Sequence, residues 1–191
     1  MEFPWVFAQT SSRFIPIYAM LFGLISFNHY LILFSILAVI NGVLNCILKI
    51  IFKTLYIKLG AIDLPFLGRG IRPIGAQNCS DMPTMTNFVK KATSFGMPSG
   101  HSQNAWFFFT FISLYIYNQY KNKPFNIYRK ITTIILIIIL LITATFISYS
   151  RVQINCHSTN QVIVGGMIGS ILGTFGYLLT RYIIEGKTTI F

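Results

Sequence analysis

The amino-acid sequence predicts an all-α fold, a polytopic membrane bundle of about five helices, on three observations. Charged residues make up 10% of the chain and hydrophobic ones 54%, against roughly 25% charged in a soluble domain; mean hydropathy is +0.65. Apolar runs recur at lengths near the ~20 residues that a helix needs to cross the hydrocarbon core. Each run is closed by a short polar or Gly/Pro-bearing break. The 191 residues read as one domain, 1–191, with no room for a separate soluble module.

Residues 1–12 read as a polar-aromatic lead in the interface, where Trp5 suits the headgroup level. Met1-Glu2-Phe3-Pro4 lacks the basic start of a signal peptide, so no cleaved leader is expected. The apolar stretch 14–27 is short for a span, and a four-helix count follows if it only lies in the interface. After the Asn28-His29-Tyr30 break, 31–52 is long enough to cross. His29 has no partner pattern and reads as an interfacial histidine.

Residues 53–100 form the longest polar interval, with Lys53, Lys58, Arg69, Arg72, Lys90 and Lys91. Loops this long in compact domains are functional or disordered, and Leu64-Pro65-Phe66-Leu67 reads as dipping into the interface. Three further helices are expected over 103–118, 130–149 and 159–184, the first two joined by a plain basic loop, 119–129. Gly165, Gly169 and Gly173 stripe one face of the last helix, which lets a neighbouring backbone come close. If the helices alternate in direction, the loops 53–102 and 149–161 share one membrane face.

The net charge is +11. In a membrane chain this points to anionic lipid surfaces or a phosphorylated substrate; no nucleic-acid motif or aromatic-interleaved basic patch is present. Cys46, Cys79 and Cys156 have no metal spacing. They read as single thiols, with a Cys79–Cys156 disulfide the alternative that a shared face leaves open.

Chemistry concentrates in that shared face. In Gly96-Met97-Pro98-Ser99-Gly100-His101-Ser102-Gln103, Pro98 and Gly100 bar a continuous helix. Ser99 can cap, so Ser99, Gly100 and His101 would stand at a helix N-terminus, where an anion binds readily. The second loop brings Ser150, Arg151, His157 and Gln161, and the first adds Arg72-Pro73. Arginines grip phosphate oxygens in bidentate fashion and a lysine adds a point charge. Two histidines can divide phosphoryl transfer, one attacking phosphorus and one protonating the leaving oxygen. Asp63 and Asp81 are lone, so no carboxylate cluster for Mg²⁺ is visible and the chemistry reads as metal-free, with no cofactor.

Gly96 to Gln103 with Trp106-Phe107-Phe108 following, and Ser150-Arg151…His157…Gln161-Val162, resemble the second and third signature motifs of the type 2 phosphatidic acid phosphatase (PAP2) superfamily, and most closely its dolichyldiphosphatase subgroup. The resemblance spans roughly residues 41–175. It implies a PAP2/haloperoxidase-like fold, His157 as the nucleophile that becomes phosphohistidine, and His101 as general acid. It also implies phosphate binding by Arg72, Ser99, Gly100 and Arg151, and a polyprenyl (dolichyl-type) diphosphate as the lipid partner. The location it implies is the endoplasmic reticulum membrane in a eukaryotic host.

Gln161 stands where most of the superfamily has an Asp that orients the nucleophile. It can hold the ring by a hydrogen bond but not stabilise an imidazolium by charge; Ser158-x-x-Gln161 is equally a capping box. The first motif departs further. The family's lysine position is Pro65 here, whereas Asn45-x-x-Leu48-Lys49 resembles its N-x-x-L-K lead. Lys49 is therefore taken as the phosphate lysine, with Lys53 or Arg69 as substitutes. Phosphatidate or undecaprenyl-diphosphate hydrolysis, phosphotransfer to another alcohol, and a non-catalytic membrane scaffold are the competing readings.

Overall fold

The computed structural model describes residues 3–60, 70–76, 79 and 95–186. Within them are five α-helices: α1 (Phe3–Ile25), α2 (His29–Lys58), α3 (Gly100–Lys121), α4 (Ile127–Gln153) and α5 (Thr159–Glu185). No strand occurs among the described residues. The expected interface lead is instead the first part of α1, which runs unbroken from Phe3. The α1–α2 hairpin turns through Phe27, at φ 52°. Asn28 then caps α2, its side chain accepting from the Leu31 N–H.

Three helices, α2, α4 and α5, are long and apolar enough to cross a membrane; the apolar part of α1 is only Phe14–Ile25. The five expected helices are all present among the described residues, and α3 shows why length and hydropathy alone do not pick out each of them. It has the length, 22 residues, but carries His101, Ser102, Gln103 and Asn104 in its first turns. Those polar groups face other helices rather than lipid. Gln103 Nε2 donates to Asn41 Oδ1 at 2.8 Å, Asn45 Nδ2 to Gln103 Oε1 at 2.8 Å, and Asn41 Nδ2 to Asn104 Oδ1 at 2.6 Å. Away from water, each such group needs an internal partner. Hydropathy cannot recognise a helix whose polar face is satisfied by its neighbours.

Helices α3 and α5 run side by side from the same face, and the glycine stripe sits in their seam. A Cβ at Gly165 would stand 2.5 Å from the Ser99 carbonyl oxygen, and one at Gly173 2.7 Å from that of Phe107. At Gly169 it would collide with the Gln103 carbonyl. The absent side chains thus set the interhelical distance, as expected for small-residue seams in lipid. Farther along, Tyr30, Phe34, Phe107, Phe111 and Tyr177 form an aromatic core joining α2, α3 and α5. At that end Arg181 Nε pairs with Glu185 Oε2 at 3.3 Å.

The seam generates a prediction. Gly169→Ala forces the two backbones apart and should destabilise the fold by about 1–3 kcal/mol, the usual cost of overpacking. Ile171→Ala, at an exposed position on the same helix, should cost far less. Thermal unfolding of both variants in detergent checks this; equal losses would remove the seam from its central role.

Candidate active site

The site forms where the N-termini of α3 and α5 meet residues 70–76 and Cys79. Ser99 N–H donates to the Gln161 carbonyl at 3.0 Å, and Ser102 Oγ to the Val162 carbonyl at 2.7 Å. These bonds tie the first turn of α3 to the first turn of α5. Gly70 joins from the other side, its carbonyl accepting from the N–H groups of Gly96 and Met97 at 3.1 and 3.0 Å. The two loops therefore share a face, as the alternation of helices predicts.

Gln161 is the most heavily constrained side chain of the cluster. Its Nε2 donates to the Ile71 carbonyl at 2.6 Å. Its Oε1 accepts from Ser158 N–H at 3.3 Å and lies 3.0 Å from His157 Nδ1. Ser158 in turn accepts from Gln161 N–H, so the capping box is complete. A carbonyl can only accept, so the amide orientation is set and Oε1 must face the imidazole. Nδ1 therefore carries the proton, and the lone pair of His157 sits on Nε2. Arg72 Nη1 points at that lone pair from 3.4 Å while donating to the Cys156 carbonyl at 3.1 Å. The capping role and the orienting geometry belong to one side chain.

The cluster around this ring is cationic. Lys49 is buried and reaches up from α2 to donate to the Phe95 carbonyl at 2.9 Å. His157 is 2% exposed. Burial first, then the charges of Lys49 and Arg72, hold its imidazole well below the ordinary histidine range; the Gln161 bond opposes this, and His101 adds to it. The ring is thus neutral, with Nε2 unprotonated at neutral pH. His101 itself is buried at the start of α3 and also lines a small, mostly apolar cavity with Ile15, Phe34 and Phe107.

Ser99 occupies the N-cap position of α3, but its side chain makes no capping bond. Its Oγ is fully buried with no hydrogen-bond partner among the described residues. Its backbone N–H is engaged by the Gln161 carbonyl, so what Ser99 can offer an anion is its hydroxyl. An orphaned buried donor at a helix N-terminus suits an incoming anion. Gly100 packs against Asn45: a Cβ would come within 2.9 Å of its Oδ1.

Arg151, at the end of α4, is 0% exposed and donates through Nη2 to the Cys79 carbonyl at 3.2 Å. Its own carbonyl accepts from both Cys156 and His157 N–H at 3.1 Å. Cys79 and Cys156 are joined as a disulfide, and only Cys46 remains a thiol. The single-thiol expectation is corrected: loop spacing says nothing of distance, and the fold brings these Cα atoms to 5.4 Å.

Of the expected residues, Lys49, Arg72, His157 and Gln161 are brought together, His101 lies near enough to act on His157 through its charge, and Ser99, Gly100 and Arg151 are bonded or packed around them. Among the lysine substitutes, Lys53 belongs to the next turn of α2, and Arg69 lies outside the described residues, as do 64–67, Asp63 and Asp81. Among the described residues no three His, Cys, Asp or Glu side chains gather to hold a metal. Sequence reasoning missed Gly96, where a Cβ would press within 2.5 Å of the Gln161 side chain. It also missed the polar stripe beneath the site, although Asn41, Asn45 and Lys49 at i, i+4, i+8 are a readable helical face.

Comparison with known proteins shows the family to which the chain belongs. The PAP2 superfamily profile matches residues 64–185. Dolichyldiphosphatase 1 of Dictyostelium discoideum is 33% identical over 165 residues, covering 86% of this chain and 67% of that protein. Dolichyldiphosphatase 1 of Mus musculus is 36% identical over 98 residues, covering 48% of this chain and 39% of its own length. Lipid phosphate phosphatase 1 of Arabidopsis thaliana is 34% identical over 80 residues, covering 42% and 24%. No solved structure matches.

The buried neutral His157 predicts how stability varies with pH. Its folded pKa is depressed, so the unfolded chain binds a proton near pH 6.5 that the folded chain refuses. This contribution to stability is complete above about pH 6.5 and declines below it, by up to about 1.4 kcal/mol per pH unit. Unfolding temperatures between pH 5 and 7.5 should fall more steeply on the acid side for wild type than for His157→Asn. Parallel curves would mean that the folded protein binds the His157 proton as readily as the unfolded chain does.

Proposed function

From the premise that the chain belongs to the PAP2 superfamily, we propose that it is an integral-membrane lipid phosphatase. It hydrolyses a polyprenyl diphosphate of the dolichyl type through a phosphohistidine, without a metal ion. The observation that carries this reading is the lone pair of His157 Nε2, held by Gln161 and aimed into a buried cluster of cations.

The terminal phosphate would enter between Arg72 and Ser99, taking the guanidinium's donor from the nucleophile and bonding the orphaned hydroxyl. Lys49, Arg72 and Arg151, with the Gly100 end of α3, stabilise the equatorial oxygens; such preorganised charge supplies most of the barrier reduction in phosphoryl transfer. Nε2 attacks phosphorus, the bond to the bridging oxygen breaks, and His101 donates a proton to the departing lipid monophosphate. Water then attacks the phosphohistidine, losing its proton to His101, and inorganic phosphate leaves. Gln161 cannot accept the Nδ1 proton, so the phosphorylated ring keeps its positive charge and remains a good leaving group. The metal-free step rests on the protein's own cations.

The isoprenoid substrate is carried over from the relatives named dolichyldiphosphatase, and hydrolysis of other lipid phosphates from the Arabidopsis relative. The three apolar helices support a place in the bilayer. The Cys79–Cys156 disulfide supports a site on an oxidising side of the membrane, such as the lumen of the endoplasmic reticulum.

The test is phosphate release from dolichyl diphosphate and from phosphatidate in detergent with EDTA present. Wild type should release phosphate mainly from the diphosphate, and His157→Ala should lose at least about three orders of magnitude, as when a covalent nucleophile is removed. Preference for phosphatidate would overturn the substrate and keep the mechanism. Histidine-independent release, or release abolished by EDTA, would overturn the mechanism.

A further inference from the structure

We infer that the Cys79–Cys156 disulfide is a positioning element of the phosphate site, which sets both arginines and makes oxyanion binding depend on the oxidised bond. The inference rests on reading the cluster as an anion cradle.

The bond joins half-cystines 77 residues apart, and the two arginines cross it reciprocally. Arg72 lies on the segment that leads to Cys79, yet it donates to the carbonyl of Cys156 at 3.1 Å. Arg151 lies on the segment that leads to Cys156, yet it donates to the carbonyl of Cys79 at 3.2 Å. Each half-cystine thus presents its main-chain oxygen to the guanidinium of the opposite segment. One covalent link and two charge-assisted hydrogen bonds clamp the same few residues, and such bonds are the stronger and more directional kind.

The clamp reaches the nucleophile as well. His157 follows Cys156, and both of their N–H groups bond the Arg151 carbonyl. Arg72 Nη1 divides itself between the Cys156 carbonyl and His157 Nε2. A shift of the Cys156 main chain therefore changes the distance between the phosphate-binding guanidinium and the attacking nitrogen. Residues 70–76, which present Arg72, belong to neither helix nor strand. Side-chain bonds to the carbonyls of Ile71 and Ile74, from Gln161 and Asn155, hold their first part. The sulfur bridge anchors their far end at Cys79. A purely stabilising crosslink would have no reason to carry the site's two arginines on its own carbonyls.

The test uses the purified full chain in detergent micelles, in a Cys46→Ala background that removes the remaining thiol. Peptide mapping without reductant first establishes the Cys79–Cys156 linkage. Calorimetric titration with methylene diphosphonate, a diphosphate that cannot be hydrolysed, then compares three samples: oxidised, reduced with the phosphine removed, and reoxidised. Circular dichroism confirms that the reduced sample is folded at the titration temperature, and Cys79→Ser/Cys156→Ser provides a second, reagent-free comparison.

Affinity should fall about tenfold on reduction, roughly the effect of misplacing one charged hydrogen bond, and should return on reoxidation. Equal affinity in the oxidised and reduced folded samples, even with a lower unfolding temperature, would overturn the inference by making the bond merely structural. Absence of the linked peptide would overturn it too. Because the titration needs no turnover, redox-dependent binding by a chain that releases no phosphate from any lipid would support the inference and sink the phosphatase reading. Failure of the oxidised chain to bind the diphosphonate would overturn both.

Discussion

Two helices that begin on the same face must touch backbone to backbone for this site to exist. Gly165, Gly169 and Gly173 on α5 let the carbonyls of Ser99, Gln103 and Phe107 on α3 come that near. Apolar burial gives little drive for such an approach in lipid, so close contact and interhelical hydrogen bonds carry it. Once the seam is closed, Ser99 N–H meets the Gln161 carbonyl, and two helix N-termini open on one spot. His101 and His157, each at the start of its own helix or just before it, are neighbours for that reason.

Glutamine at 161 alters the electrostatics rather than the geometry. A carboxylate there would favour an imidazolium and draw the nucleophile's pKa upward. The amide holds the same nitrogen by the same kind of bond, yet leaves the ring neutral among Lys49, Arg72 and His101. His157 Nε2 is therefore unprotonated without a base beside it. The amide's other end, bonded to Ile71, ties the orientation of His157 to the segment that presents Arg72.

Beneath the cluster, α2 supplies a ladder of Asn41, Asn45 and Lys49, of which the asparagines meet Gln103 and Asn104. These bonds account for the low hydropathy of α3 and carry the lysine into the bundle, where its ammonium finds the Phe95 carbonyl. The carbonyls of the disulfide-bonded Cys156 and Cys79 receive the guanidinium groups of Arg72 and Arg151. Asn41, Cys79 and Cys156 lie outside the motifs read in the sequence, yet each bonds or carries a motif residue.

Much of this was legible in the chain. Low charge and long apolar runs called for a helical membrane bundle, Gly and Pro placed the breaks, and the spacing Ser158-x-x-Gln161 foretold a cap that also reaches a histidine. Residue types at 72, 99–101, 151 and 157 named a phosphate chemistry, because few side chains can perform it. Local sequence carries that information through backbone preference and chemical type. The tertiary structure alone decided the rest: that Cys79 and Cys156 are bonded, that Ser99 offers its hydroxyl rather than its amide, and that α3 joins the bundle despite its polarity. Each depends on distances between segments far apart in sequence, and no local pattern encodes a distance. Only the closed seam of α3 and α5, with the loops drawn over it, sets those distances.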